Sequence, residues 1–144
     1  MAFQGFANSI VRGLLRTPLV SRAIGKRLIT VYVVGRKSGR HYDIPVAYTQ
    51  HDGGLVVGTP FAWGRNLRTG EPVEVRLRGR RRTADVQVFS DEAGVVEQYG
   101  IIARDNHQFA KFNMIGIGPD GSPNPDDLHL AWAGGARAFR LTPR

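Results

Sequence analysis

The sequence predicts an α+β chain that is mainly β: an antiparallel sheet curled into a small barrel, with helices packed outside. Three observations carry this expectation. Short apolar stretches with strand character (Leu28–Val34, Tyr42–Thr49, Leu55–Thr59, Val73–Leu77 and Thr83–Phe89) follow one another, several of them across brief Gly- or Arg-bearing turns. No strand–helix–strand unit is evident, which favours antiparallel pairing over a parallel sheet. The 144 residues, 42% of them hydrophobic, show no composition break, so one domain over 1–144 with its own core is expected.

Taken in order, Phe3, Phe6, Ala7, Ile10, Val11, Leu14 and Leu15 recur at helical spacing, with Gln4, Asn8, Ser9, Arg12 and Arg16 opposite. An amphipathic N-terminal helix follows from that pattern. Pro18 ends it or opens a second, shorter set of helical turns, so that 1–27 is helical and 28–144 forms the barrel. Leu28–Val34 and Tyr42–Thr49 are strands around a turn at Gly35–Gly39. His51-Asp52-Gly53-Gly54 is a hairpin signal before a third strand, Leu55–Thr59. Phe61–Arg68 is a short helix after Pro60. Arg78–Arg82, "RGRRR", joins the next two strands as a basic tip. Ser90 caps a helix that runs to about Arg104, and Gln108–Ile115 is a second helical piece, giving a helical insertion at about 91–116. "GPDGSPNPDD" is a loop by composition. Leu128–Trp132 and Ala136–Leu141 close the chain as strand segments around Gly134-Gly135.

Composition narrows the chemistry. There is no Cys, so disulfides, thiolate nucleophiles and Cys-ligated metals are excluded. The formal net charge is +8, and no Asp or Glu precedes Asp43. Such a one-signed field concentrates anions: phosphates, carboxylates, nucleic acid or anionic lipid headgroups. No apolar run approaches the ~20 residues needed to span a bilayer. Arg12 and Arg16 interrupt the apolar run that a signal peptide would need. A soluble, cytoplasmic chain is expected, whose N-terminal face could touch an anionic membrane surface. The phosphate-loop and dinucleotide fingerprints and the nucleophile elbow are missing, and His41, His51, His107 and His129 lack ligand spacing, so no metal site is expected.

Two segments remain as candidate sites. In "GRKSGR", Gly35–Arg40, the glycines free the backbone, Ser38 adds a hydroxyl, and Arg36, Lys37 and Arg40 add charge-assisted donors. That set suits an anion nest, and it equally suits a solvated hairpin tip. In Phe61–Val75, Trp63 offers a flat face and Asn66 an amide edge; the alternative is a Trp-Leu plug closing one barrel end, with Asn66 as a cap. Nucleic-acid binding rests on charge alone, because the aromatics sit at core-phase positions.

Together, "GRKSGRHYDIPV" and "WGRNLRTGEPVEVRL" resemble the deazaflavin-dependent nitroreductase family of actinobacteria, the split β-barrel oxidoreductases. The resemblance covers about Leu28 to Val88. It implies a split β-barrel of the FMN-binding type and binding of the deazaflavin coenzyme F420 in preference to flavin mononucleotide (FMN). It also implies hydride transfer to a small organic acceptor, a quinone, an enone or a nitro compound. By the same resemblance Arg36, Lys37, Ser38 and Gly39, with Arg40 and Pro45 in the same motif, would hold the anionic tail, and Trp63 and Asn66 would line the site. Tyr99 and His107 are the conceivable proton donors. The sequence departs from the family pattern at Tyr42, where an Arg is usual, at Val46, where a Leu is usual, and in the short "GTPFA" before Trp63. Some relatives that keep the barrel without the coenzyme bind fatty acids at membranes, which is the alternative implied here. A monomer or a homodimer fits either.

Overall fold

The computed structural model describes residues 27–144. The helical expectation for 1–27 therefore lies, except for Arg27, outside the described residues. Seven antiparallel strands form one sheet: β1 (Leu28–Val34), β2 (His41–Ala47), β3 (Thr49–His51), β4 (Gly54–Thr59), β5 (Val73–Leu77), β6 (Arg80–Phe89) and β7 (Arg137–Pro143). A 3-10 helix spans Ala62–Asn66, and three α-helices follow: α1 (Glu92–Asp105), α2 (His107–Phe112) and α3 (Pro125–Ala133). Among the described residues no helix is long and apolar enough to cross a membrane.

The spatial order is β2-β1-β5-β6-β7-β4-β3. Its two ends, β2 and β3, are separated in the chain by Tyr48 alone. Two residues of chain span only about 7 Å, so the sheet must curl until its edges meet at that residue. The edges are thus the two halves of one bent strand. Its first half pairs with β1, from Leu28↔Ala47 to Val34↔His41, and its second half pairs with β4, from Thr49↔Val56 to His51↔Gly54. Beyond Val56, β4 is laddered only to β7. The barrel is therefore joined at Tyr48 and split between upper β2 and upper β4. This is the mainly β, antiparallel curled sheet that the alternating segments predict, in the split β-barrel form that the family resemblance implies.

Alternation sorts side chains into two cores. Ile29, Val31 and Val33 of β1, Tyr42 and Ile44 of β2, Leu55 and Val57 of β4, Val73 and Val75 of β5, and Phe139 and Leu141 of β7 fill the barrel interior. The opposite face of β4 and β7, at Gly58 and Ala138, is covered by the helices through Val95, Tyr99, Ala103, Ala110 and Leu128. Each fully buried Leu, Ile, Val or Phe contributes roughly 1.5–3 kcal/mol relative to exposure. Pro45 lies on β2, an edge strand, where its missing N–H costs no second ladder.

Several expectations are corrected. The basic tip is shorter than "RGRRR": only Arg78 and Gly79 turn, both at positive φ (50° and 78°), and Arg80–Arg82 belong to β6. A two-residue loop with both φ positive matches strand twist and leaves the remaining arginines in the ladder. The helix N-cap is Asp91 rather than Ser90. Leu128–Trp132 is not a strand but most of α3. Asn124 Oδ1 accepts from the Asp126 and Asp127 N–H groups, and Pro125 occupies the first turn, so "NPDD" is a helix start inside the expected loop. The helical layer consequently extends past 91–116 to Ala133.

Candidate functional site

Strand registers put the Gly35–Arg40 turn and the 3-10 helix at the same barrel end. β1 pairs with β5 over Ile29–Tyr32 and runs on to Val34, and β4 rises to Thr59 against β7, which lead into the turn and the 3-10 helix respectively. The turn is a single helical loop closed by glycine: the Gly39 N–H donates to Gly35 O at 2.8 Å, the Gly35 N–H donates to Arg40 O at 2.8 Å, and Gly39 has φ 69°. Gly39 supplies the left-handed residue that lets the chain reverse into β2. Gly35 is required for a different reason: a Cβ there would sit 2.8 Å from Ser38 Oγ and 3.4 Å from the Tyr42 ring.

The two sequence segments meet directly. The Arg36 backbone N–H donates to Asn66 Oδ1 at 3.1 Å, and Arg36 Nε donates to Asn66 O at 3.0 Å. Asn66 Nδ2 in turn donates to Trp63 O at 3.0 Å, so one side chain cross-links the turn to the 3-10 helix. The Arg36 guanidinium is completed by an ion pair with Glu71. The Ser38 hydroxyl accepts from the Arg40 N–H at 3.2 Å. Among the described residues, the Lys37 and Ser38 amides have no protein acceptor, and the Lys37 and Arg40 side chains are exposed without a carboxylate partner. Two open amides flanked by two cations, beside a hydroxyl, have the composition of an anion nest.

The remaining candidates separate from this cluster. Trp63 is 7% exposed and stacks on Phe139, with ring centroids 5.8 Å apart and 28° between planes. Its flat face is used by the core, and with Leu67 it plugs the barrel end. Asn66 spends its carbonyl oxygen on Arg36 and its NH2 on Trp63, so it positions the turn. Tyr42, at the position where the resembled family carries Arg, is buried in the barrel interior. Pro45 faces away from that interior, on the side of β2 opposite Tyr42 and Ile44. Tyr99 is fully buried in the helical core, where its Cε1 lies 2.6 Å from the place a Cβ on Gly58 would occupy. That contact puts Tyr99 across the sheet from Trp63. Burial pushes the Tyr99 phenol far above its ordinary value, and its hydroxyl has no hydrogen-bond partner among the described residues. His107 begins α2 on the same helical side and is exposed. The structure brings neither Tyr99 nor His107 to the turn.

Sequence reasoning missed Glu71. The signal was present: Glu71 is the one acidic residue between Asp52 and Glu74, in a segment that carries Arg65 and Arg68. Its backbone is fixed through its neighbours. Thr69 Oγ1 accepts from the Val88 N–H at 2.9 Å, the Gly70 N–H donates to Val86 O at 3.1 Å, and the Glu71 N–H donates to Arg68 O at 3.1 Å. The chain matches no known protein-family profile and no curated protein.

Proposed function

We propose that the protein is a deazaflavin-dependent reductase that binds coenzyme F420 at the Gly35–Arg40 turn and reduces a small organic acceptor. The observation that carries this reading is the Arg36–Asn66 cross-link. It joins the two motifs on which the family resemblance rests, at the split end of the barrel. The donor set fits the anionic part of the coenzyme: Lys37 and Arg40 supply charge, and the Lys37 and Ser38 amides and the Ser38 hydroxyl supply directed hydrogen bonds. Trp63 and Asn66 act behind the turn as its support rather than as open walls. When bound, the reduced deazaflavin supplies the hydride, so the protein needs no nucleophile. The chain's task is then to hold the anion and orient the ring across the split.

Titration of the full chain with the coenzyme, with flavin mononucleotide as control, tests this reading. A saturable spectral change of the deazaflavin is expected. It should weaken at least about tenfold in Lys37→Ala/Arg40→Ala, as expected for losing charge-assisted bonds. No binding at high micromolar coenzyme would sink the proposal.

A second reading, a cofactor-free acyl-chain binder at a membrane surface, is favoured by one apolar feature. Phe112 is 44% exposed and meets Phe61 edge-on at 6.5 Å, and Met114 beside it is 86% exposed at φ 61°. An exposed Met two residues along the chain from a half-exposed Phe pair adds apolar surface that suits an apolar ligand. Acyl chains co-purifying in mass spectra would support this reading, and clean protein that ignores anionic vesicles would remove it.

A further inference from the structure

We infer that Glu71 is a built-in competitor of the anion that the Gly35–Arg40 turn receives, and that it sets the affinity of that site by occupying the Arg36 guanidinium. This rests on reading the turn as an anion site, and concerns its control rather than the identity of the ligand.

Arg36 has two kinds of partner. Its backbone N–H and Nε are held by Asn66 at 3.1 and 3.0 Å, and these bonds fix the turn's position. Its outer nitrogen Nη2 is held by the Glu71 carboxylate. The first pair is structural, because one bond joins the Arg36 backbone to the Asn66 side chain, itself bonded to Trp63 O, and the other joins Arg36 Nε to the Asn66 backbone. The second is different in kind. The Glu71 side chain is 61% exposed and that of Arg36 is 37% exposed, so the ion pair is solvated and weak. A carboxylate also has the geometry and charge of the ligands that guanidinium recognises, so it occupies the edge that a phosphate would use.

Releasing Glu71 needs little motion. The backbone around it is anchored to β6 through Thr69 and Gly70, and Gly70 holds φ 84°. The exchange is therefore a side-chain rotation, not a loop opening. On rotation of Glu71, the Arg36 guanidinium stays held through Nε on Asn66 O, and its outer edge at Nη2 is freed for the anion that Lys37, Arg40 and the Lys37 and Ser38 amides attract. In the unliganded protein, Glu71 keeps that edge neutralised, and its negative charge opposes weakly bound anions.

Calorimetric titration with inorganic pyrophosphate tests the inference on the full chain. Glu71→Gln should bind pyrophosphate about two- to fivefold tighter than wild type at low salt, the range an exposed ion pair supports. The gap should close as salt rises and screens exposed charges. In an Arg36→Gln background, Glu71→Gln should give no gain, because the carboxylate then has nothing to occupy. Equal or weaker binding by Glu71→Gln overturns the inference. So does a gain that persists without Arg36, and so does failure of both proteins to bind pyrophosphate. If the Glu71→Gln gain appears while the deazaflavin does not bind, the coenzyme reading fails and the competitor role stands. If the deazaflavin binds and Glu71→Gln changes nothing, the reverse holds.

Discussion

At the scale of single residues, Tyr99 is a buried polar side chain left without a hydrogen-bond partner among the described residues. Its ring is fully buried against Gly58 and Phe109, the latter at 5.1 Å between centroids, while its hydroxyl finds no acceptor among the described residues. A buried hydroxyl without a partner costs about 1–3 kcal/mol. Tyr99→Phe keeps the ring and removes that cost, so the urea midpoint should rise by the equivalent of about 1 kcal/mol. The same residue sets an alkaline limit. Burial raises the folded-state pKa, so above ~10, the unfolded value, the unfolded chain loses the phenolic proton while the folded chain keeps it. The folded state then binds more protons, and stability falls as pH climbs past 10. Tyr99→Phe should flatten that part of the decline in urea titrations at pH 9 and 11. Composition reveals a Tyr on a helix, but only the fold reveals that its hydroxyl ends inside the helical core. The same applies to Trp63, whose stack on Phe139 joins residues far apart in the chain and has no local signature.

At the scale of elements, two local signals decide more than propensity. Helix α3 begins where Asn124 caps two amides and Asp126 and Asp127 face the positive end of the helix dipole. Asn124→Ala should cost about 1 kcal/mol, measurable as a lower melting temperature. Asp127 has a second role in the same corner, its Oδ2 accepting from the Gly116 N–H at 2.9 Å. The β5–β6 hairpin shows the opposite case. Arg78 stands at φ 50°, a conformation that favours Asn or Gly, in a turn whose second residue is already Gly79. Arg78→Asn should therefore raise stability by about 0.5–1 kcal/mol in thermal melts. The strands were readable because apolar residues alternate in short runs, and their observed bounds follow that alternation closely. Helix α3 was not, because Pro, Gly, Ser and Asn dominate the ten residues before Leu128 and read as a loop. Each of these residues is also at home before or within a helix's first turn, so composition alone left the choice open. The turn at Gly35–Arg40 was legible as a cationic loop, whereas its cross-link to Asn66 joins residues thirty positions apart and has no local signature.

At the scale of the whole molecule, charge and topology divide the barrel. The Arg78–Gly79 tip leaves β5 beyond Leu77, opposite Ile29 near the start of β1, so it lies at the other end from the Gly35–Arg40 turn. Arginines at the lower end are largely satisfied within the protein. Arg76 bonds the Tyr32 hydroxyl and Gly79 O, Arg81 covers the Tyr32 ring at 4.5 Å, and Arg82 bonds Arg144 O. Among the described residues, the exposed Arg78 and Arg80 side chains at this lower tip have no hydrogen-bond or ion-pair partner, like Lys37 and Arg40 at the upper turn, but at the lower tip Arg78 and Gly79 alone form the turn. Between these ends runs the bent strand through Tyr48, and its double pairing constrains how the sequence can change. A residue inserted or deleted within 41–51 shifts one half-strand against β1 or the other against β4, and the inward and outward faces exchange on whichever half slips. No loop lies within that stretch to absorb the change. A scan of single-residue insertions and deletions should therefore find this stretch the least permissive among the described residues, while the exposed turn tip at Pro119–Asp120 should accept insertions better. The length of one strand, rather than the identity of any side chain in it, is what lineages of this barrel would be least free to vary.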